Sequence, residues 1–261
     1  MTPMADRLYL SLWYPNFRLE TLPDALLGVL RQFAQVGAKH ISAASAYPIS
    51  FTESPTYQRI YAVDQRTLQI DPFKPLDPTD ESDNMLMEAA VAEATEQLHE
   101  DMAYEFEMRW QLWTPESQPL AFIHSRLAGD RETEDEEVDP EDSSIDQADS
   151  SWRLRFHTVR ILGFAPEFDV AGYEQNGQLL VDFGIDTPWV PDNPVPGISR
   201  HSCDEEEIDE TAQIHLQQNV EKLLAFTLLV EKYCGISSRL LWTESGKPLA
   251  EKLIARLQRV H

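Results

Sequence analysis

Several stretches of the chain alternate apolar and polar residues with a period of two, which puts one set of side chains on each face of a strand. In Leu8–Tyr14, Leu8, Leu10 and Leu12 alternate with Tyr9, Ser11 and Trp13. Tyr104, Phe106, Met108, Trp110 and Leu112 alternate with Glu105, Glu107, Arg109 and Gln111, the clearest strand in the sequence. In Trp152–Phe164, Trp152, Leu154 and Phe156 alternate with Arg153, Arg155 and His157, so the apolar set is expected to face inward. Further strands are expected at Ile41–Phe51, Tyr57–Val63, Leu120–Leu127, Leu179–Ile185 and Ser238–Thr243. Asn176-Gly177 reads as a hairpin turn.

A spacing of three to four marks the helices. Thr21-Leu-Pro-Asp24 reads as a capping box with Pro23 in the first turn. Leu26, Leu27, Leu30 and Phe33 follow, and Gly37 is placed to stop the helix. A second helix is expected from Asp83 to about Asp101, with Met87, Val91, Ala94 and Leu98 as its apolar stripe. A third runs from Thr211 to Tyr233 with Leu216, Val220, Leu223, Thr227 and Val230 on one face and Gly235 at its end. A fourth is capped by Ser245, with Pro248 in its first turn.

These elements predict one α+β domain spanning residues 1–261, a largely antiparallel mixed sheet carrying about four helices. Strand, helix and strand follow one another at both ends of the chain. The second strand runs into Thr52-Glu53-Ser54 in one case and Thr243-Glu244-Ser245 in the other. The repeated order suggests two pseudo-twofold β-α-β halves facing each other across a cleft.

Charge narrows the partners. The 261 residues hold 21 Lys+Arg and 45 Asp+Glu, a net charge of −24. Such a chain repels phosphate backbones and anionic lipid, so neither nucleic acid nor a membrane is an expected partner. A basic protein is. Asp130–Asp149 holds eleven acids against one arginine and no aromatic residue. It cannot bury enough apolar surface to offset its own entropy, and is expected to be an acidic disordered loop, 130–149, within the domain. A second run, Asp204–Glu210, has six acids in seven positions. The most apolar helical stretch, Leu223–Val230, is far shorter than a bilayer span. With no secretory pattern at the N-terminus, Cys203 and Cys234 are expected to be free thiols in a cytoplasmic protein.

Few sequence motifs carry chemistry. Gly-x-Gly-x-x-Gly, a phosphate loop, Gly-x-Ser-x-Gly and His-Glu-x-x-His are all absent, so no cofactor and no metal is expected. Asp182-Phe183-Gly184 spells the magnesium triplet of protein kinases but lacks the other kinase motifs. Asp182 and Asp186 share strand parity, which would put both carboxylates on one side, as a cation or hydroxyl site or as an ordinary turn. Trp13, Tyr14, Phe17, Tyr47, Phe51 and Tyr57 read as core, or as a stacking surface for a flat ligand.

One constellation remains. If the middle strands pair in chain order, Glu107, His124, Arg126, Arg153, Arg155 and His157 share a polar sheet face. That face is either a solvated salt-bridge ladder or a groove in which His157 or His124 acts as base beside Glu107 while the arginines hold an anion. The chain therefore supports two function classes: a non-catalytic acidic protein that binds a basic partner, and a small-molecule binder or hydrolase-like enzyme using the Glu/Arg/His face.

Overall fold

The computed structural model describes residues 6–38, 40–48, 55–61, 81–115, 152–164, 176–190, 210–246 and 249. The expected strand Leu120–Leu127 with His124 and Arg126, the acidic loop 130–149, Cys203, most of Asp204–Glu210 and nearly all of the fourth helix lie outside them.

The described chain forms β1 (Arg7–Trp13), a single 3-10 turn (Leu19–Thr21), α1 (Leu22–Gln35), β2 (His40–Pro48), β3 (Tyr57–Ile60), α2 (Glu81–Ala94), β4 (Met102–Pro115), β5 (Trp152–Phe164), β6 (Leu179–Ile185), α3 (Glu210–Tyr233) and β7 (Ser238–Thr243). The strands make one sheet in the order β3-β2-β4-β5-β6-β1-β7. Among the described residues every strand pair is antiparallel rather than mixed, and the single parallel contact is an isolated bridge between Leu12 and Gly177. Three helices are described rather than four. The two β-α-β passages also differ. Three strands lie between β1 and β2, and one lies between β6 and β7. The repeated element order therefore does not become equivalent halves of the sheet.

All three helices cover the same face. Leu8, Leu10, Leu12, Tyr104, Phe106, Met108, Trp110, Leu112, Val159, Ile161, Leu179, Val181 and Phe183 are buried there. Phe33 of α1 stacks on Phe226 of α3 with ring centroids 3.8 Å apart and meets Trp110 edge-on at 5.5 Å. Phe183 and Trp189 complete the aromatic centre. Buried indole N–H groups need acceptors. Trp110 Nε1 donates to the Val36 carbonyl at 3.1 Å, and Trp189 Nε1 to the Asn219 carbonyl at 3.1 Å.

The helix ends show which sequence signals act. Gly37, at φ 93°, closes α1: its N–H donates to Ala34 O, and the Ala38 N–H donates to Phe33 O. At the other end the expected capping box is absent. The Thr21 hydroxyl turns back to donate to Arg18 O at 2.7 Å and closes the 3-10 turn instead. α2 ends at Ala94, short of Asp101. The Thr95 hydroxyl donates to Val91 O, and the hydroxyl of Tyr104 holds the following turn through Gln97 O and the His99 N–H.

Candidate functional site

Among the described residues the opposite sheet face carries a helix only at its β4–β5 end, where Trp113 stacks on His215 of α3 with ring centroids 3.7 Å apart. One row of directly opposed residues crosses it from edge to edge: Ile60, Ala43, Glu107, Arg160, Asp182, Tyr9 and Trp242. The adjacent row holds Ser45, Glu105, Leu162, Leu180, Ser11 and Leu240. Charged groups thus hold the centre of the first row and Leu162 and Leu180 the centre of the second, while Tyr9, Trp242 and Leu240 make the β7 side largely apolar.

Asp182 is the hub. It is 5% exposed, yet it lies on this opposite face. Arg160 Nη2 donates to its Oδ2 at 3.0 Å, Arg7 donates to the same oxygen, and the Gly184 N–H donates to Oδ1 at 2.9 Å. The hydrogen bond from Arg7 to Asp182 holds the guanidinium above its ordinary pKa. Beside this cluster, burial raises the carboxyl of Glu105, and the neighbouring Arg160 opposes that rise. The Tyr47 hydroxyl donates to Glu105 Oε2 at 3.2 Å. Burial, with the Glu105 charge behind it, pushes the Tyr47 phenol up to about 12. Arg109 donates to the Thr158 hydroxyl at 3.0 Å. Tyr9 stacks on Trp242 at 4.6 Å, and the Trp242 indole donates to Ser11 Oγ at 2.9 Å.

The pairing of β4 with β5 divides the expected constellation. Glu107 opposes Arg160 and Arg109 opposes Thr158, whereas Trp110 opposes His157 and Leu112 opposes Arg155. Successive pairs point to opposite faces. Glu107 therefore lies on the face of Asp182, while His157, Arg155 and Arg153 lie on the side of Trp110 and Leu112. At the start of β5 the expected phase holds, with Trp152 buried, Leu154 and Phe156 half-buried and Arg153 and Arg155 exposed; further along the buried set becomes Val159 and Ile161, which oppose the buried Met108 and Phe106. His157 Nε2 lies 2.8 Å from the Thr114 hydroxyl, and burial followed by repulsion from Arg155 lowers its pKa. Arg153 and Arg155 are exposed. His124 and Arg126 are outside the described residues.

The parity that linked Asp182 to Asp186 fails at a bulge. Arg7 opposes Ile185 and Tyr9 opposes Asp182, so three steps on β6 match two on β1. Gly184, at φ 77°, absorbs the extra residue. Asp186 is then engaged elsewhere, accepting the Asp6 N–H at 3.1 Å, and among the described residues no group of His, Cys, Asp and Glu could hold a metal ion.

Neither a protein-family model, nor a curated protein, nor a solved structure shows significant similarity to the chain.

Arg160 and Arg7 escaped the sequence reading. Arg160 lies between Val159 and Ile161, and a lone charge inside a β-branched run is the mark of the outward face of a buried strand. What the cluster does chemically is limited by its own pairing. The two oxygens of Asp182 already accept three donors, Arg7 and Arg160 each giving one N–H to the same carboxylate, and Arg7 Nε is buried without a hydrogen-bond partner. The cluster ties β1, β5 and β6 together.

Proposed function

We propose that the protein is a non-catalytic cytoplasmic interaction protein that captures a basic protein partner through its surplus of carboxylates. The observation that carries this is how the cations are used. Arg7 and Arg160 are paired with Asp182, Arg31 with Glu88, Arg59 with Glu93 and Arg239 with Glu231. Each of these pairs neutralises charge within the chain, and the excess of −24 remains for an external cation to meet. The sequence concentrates that excess in Asp130–Asp149 and Asp204–Glu210. Dense like charge raises the local potential and speeds the approach of an oppositely charged protein. The half-buried thiol of Cys234, pushed up to about 11 by desolvation and so protonated, suits a reducing compartment. Among the described residues no helix is long and apolar enough to cross a membrane.

The test is the association rate with a lysine-rich polypeptide, measured by stopped flow at about 20 mM and about 300 mM salt, where the screening length falls several-fold. Association that slows at least tenfold across that range supports the reading. No binding at low salt, or a rate indifferent to salt, overturns it.

A further inference from the structure

Leu223, Phe226, Thr227 and Val230 turn one side of α3 into the core. The other side is open: Leu224 is 51% exposed, Leu228 is 58% exposed, and Ala225 is exposed between them. At 3.6 residues per turn, Glu221, Ala225, Leu228 and Lys232 fall on one stripe with Leu224 at its border. Single exposed leucines are ordinary on a protein surface. What sets this stripe apart is the charge around it. The chain carries −24, yet within Thr211–Tyr233 the glutamates Glu221 and Glu231 are cancelled by Lys222 and Lys232. A second acidic molecule can approach such a neutral patch, whereas a basic partner finds no surplus of carboxylates on it.

The order of these charges is self-complementary. A twofold axis level with Phe226 and Thr227 sets each residue of α3 against the one equally far beyond the axis on the other copy. Glu221 then meets the partner's Lys232, and Ala225 meets the partner's Leu228. A parallel pairing would set glutamate on glutamate and lysine on lysine. Glu221 and Lys232 are both exposed and make local contacts: Gln217 Nε2 donates to Glu221 Oε1 at 2.7 Å, and Lys232 Nζ lies 4.8 Å from the Tyr233 ring centroid. The other two charges are committed within the chain, Lys222 to Gln111 O and Glu231 to Arg239. The small side chain of Ala225 lets two helices approach closely, with a leucine packed beside it from each copy.

We propose that α3 pairs with α3 of a second copy, antiparallel across that twofold axis, through Leu224, Ala225 and Leu228 flanked by the Glu221–Lys232 pairs. One helical strip covers far less than the roughly 800 Å² per partner of a standard interface, so the dimer is weak and reversible. Repulsion between two chains of −24 opposes it and outweighs the exposed ion pairs. Salt therefore strengthens this dimer, the reverse of its effect on capture of a basic partner. The pairing does not rest on that capture, so the two fail separately.

The test is sedimentation equilibrium of the full chain at up to about 0.5 mM protein, in about 20 mM and about 300 mM salt. A monomer–dimer equilibrium should appear and tighten roughly threefold or more at the higher salt. Leu228→Ser, at an exposed position, should keep the melting temperature and weaken pairing roughly tenfold. Glu221→Lys and Lys232→Glu change the net charge in opposite directions, yet each brings like charges together at both ends of the contact and should weaken pairing roughly fivefold. Both changes in one chain restore opposite charges and should recover the unaltered affinity. A chain that stays monomeric at every concentration and salt overturns the proposal. A dimer indifferent to Leu228→Ser or to the single charge changes joins the copies elsewhere, and overturns it too. So does a dimer that loosens as salt rises, which charge rather than the leucines would hold. Failure of the doubly changed chain to recover excludes the antiparallel register and overturns the proposal as well.

Discussion

The side-chain amide of Asn219 pairs with both backbone groups of Trp113. The Trp113 N–H donates to Asn219 Oδ1 at 3.0 Å, and Asn219 Nδ2 donates to the Trp113 carbonyl at 2.7 Å. The pairing answers a topological problem. β2 leaves β4 after His40 opposite Arg109, while β4 continues to Pro115. Among the described residues no strand pairs with that stretch on the β2 side, and a helical residue supplies the amide that a strand would have supplied. The Lys222 ammonium donates to Gln111 O on the same edge at 3.0 Å, and Asn219 Nδ2 also reaches Pro188 O at 2.8 Å.

Asn219 is fully buried, so Asn219→Ala leaves the Trp113 N–H and carbonyl unpaired and opens a small void. The expected loss is about 2–4 kcal/mol of unfolding free energy. Asn219→Asp should do no better, because it removes both donors and buries a charge. Urea denaturation checks this against Gln217→Ala on the exposed face of α3, expected within about 0.5 kcal/mol of the unaltered protein. Equal midpoints for the position 219 and 217 variants would show that the edge needs no partner.

Two glycines with similar backbone angles should respond very differently to alanine. Gly177 (φ 76°) and Gly184 (φ 77°) both sit in the left-handed region. A Cβ at Gly177 would lie 2.4 Å from the Leu12 carbonyl oxygen, a backbone atom that cannot yield without breaking the contact of the Gln178 N–H with that oxygen. At Gly184 the nearest atom would be 3.9 Å away. Gly184→Ala should cost about 1 kcal/mol, the backbone penalty alone, and Gly177→Ala about 3 kcal/mol or more. Melting temperatures of the two variants decide it, and a reversed order would mean that the close approach is not rigid.

His157 and Glu105 should tilt the pH dependence of stability in opposite directions. Burial lowers the His157 pKa from 6.5, so below that value the unfolded chain takes up its proton more readily than the folded one. Stability is therefore full above pH 6.5 and falls as pH drops toward the folded pKa. Burial raises Glu105 from 4.5, so the folded chain holds that proton longer. Its contribution is full below pH 4.5 and is lost as pH rises through the folded pKa. Guanidinium denaturation from about pH 4 to about pH 7 should show a flatter acid limb in His157→Gln and a gain at the neutral end in Glu105→Gln. Each glutamine can keep the hydrogen bond of the group it replaces, Thr114 in one case and Tyr47 in the other. Unchanged profiles would mean that neither group titrates differently on folding.

Strand positions were far more legible in the sequence than strand faces. The spans Trp152–Phe164, Leu179–Ile185 and Ser238–Thr243 appear in the structure with the ends the alternation gave them. Period-two alternation marks a strand wherever one face is buried, and these residues meet that condition. Which face is buried depends on the partner strand. β5 carries two competing alternations, Trp152-Leu154-Phe156 and Val159-Ile161, in opposite phase. Registration against Met108 and Phe106 of β4 buries the second, Trp152 stays buried at the start of the first, and no local signal encodes where one phase gives way to the other. The same long-range information fixes the Asp182 cluster, whose arginines lie 175 and 22 positions away in the chain. The bulge at Gly184 was equally invisible, since a glycine at a strand end also reads as a turn.

Asp182 gives the last expectation, because one carboxylate serves two arginines. Removing either arginine leaves the other in place, and their side chains are 39% and 38% exposed. Arg7→Gln or Arg160→Gln should therefore cost no more than about 1 kcal/mol each. Asp182 is 7% exposed at its side chain and also accepts the Gly184 N–H, so Asp182→Asn weakens three bonds at once. It should cost about 1–2 kcal/mol, more than either arginine alone. A double-mutant cycle separates the two arginines. If both act through the same oxygen, Arg7→Gln should become nearly silent once Asp182→Asn is present. An Arg7→Gln cost that persists undiminished in that background would place the value of Arg7 in its packing against the sheet rather than in its charge.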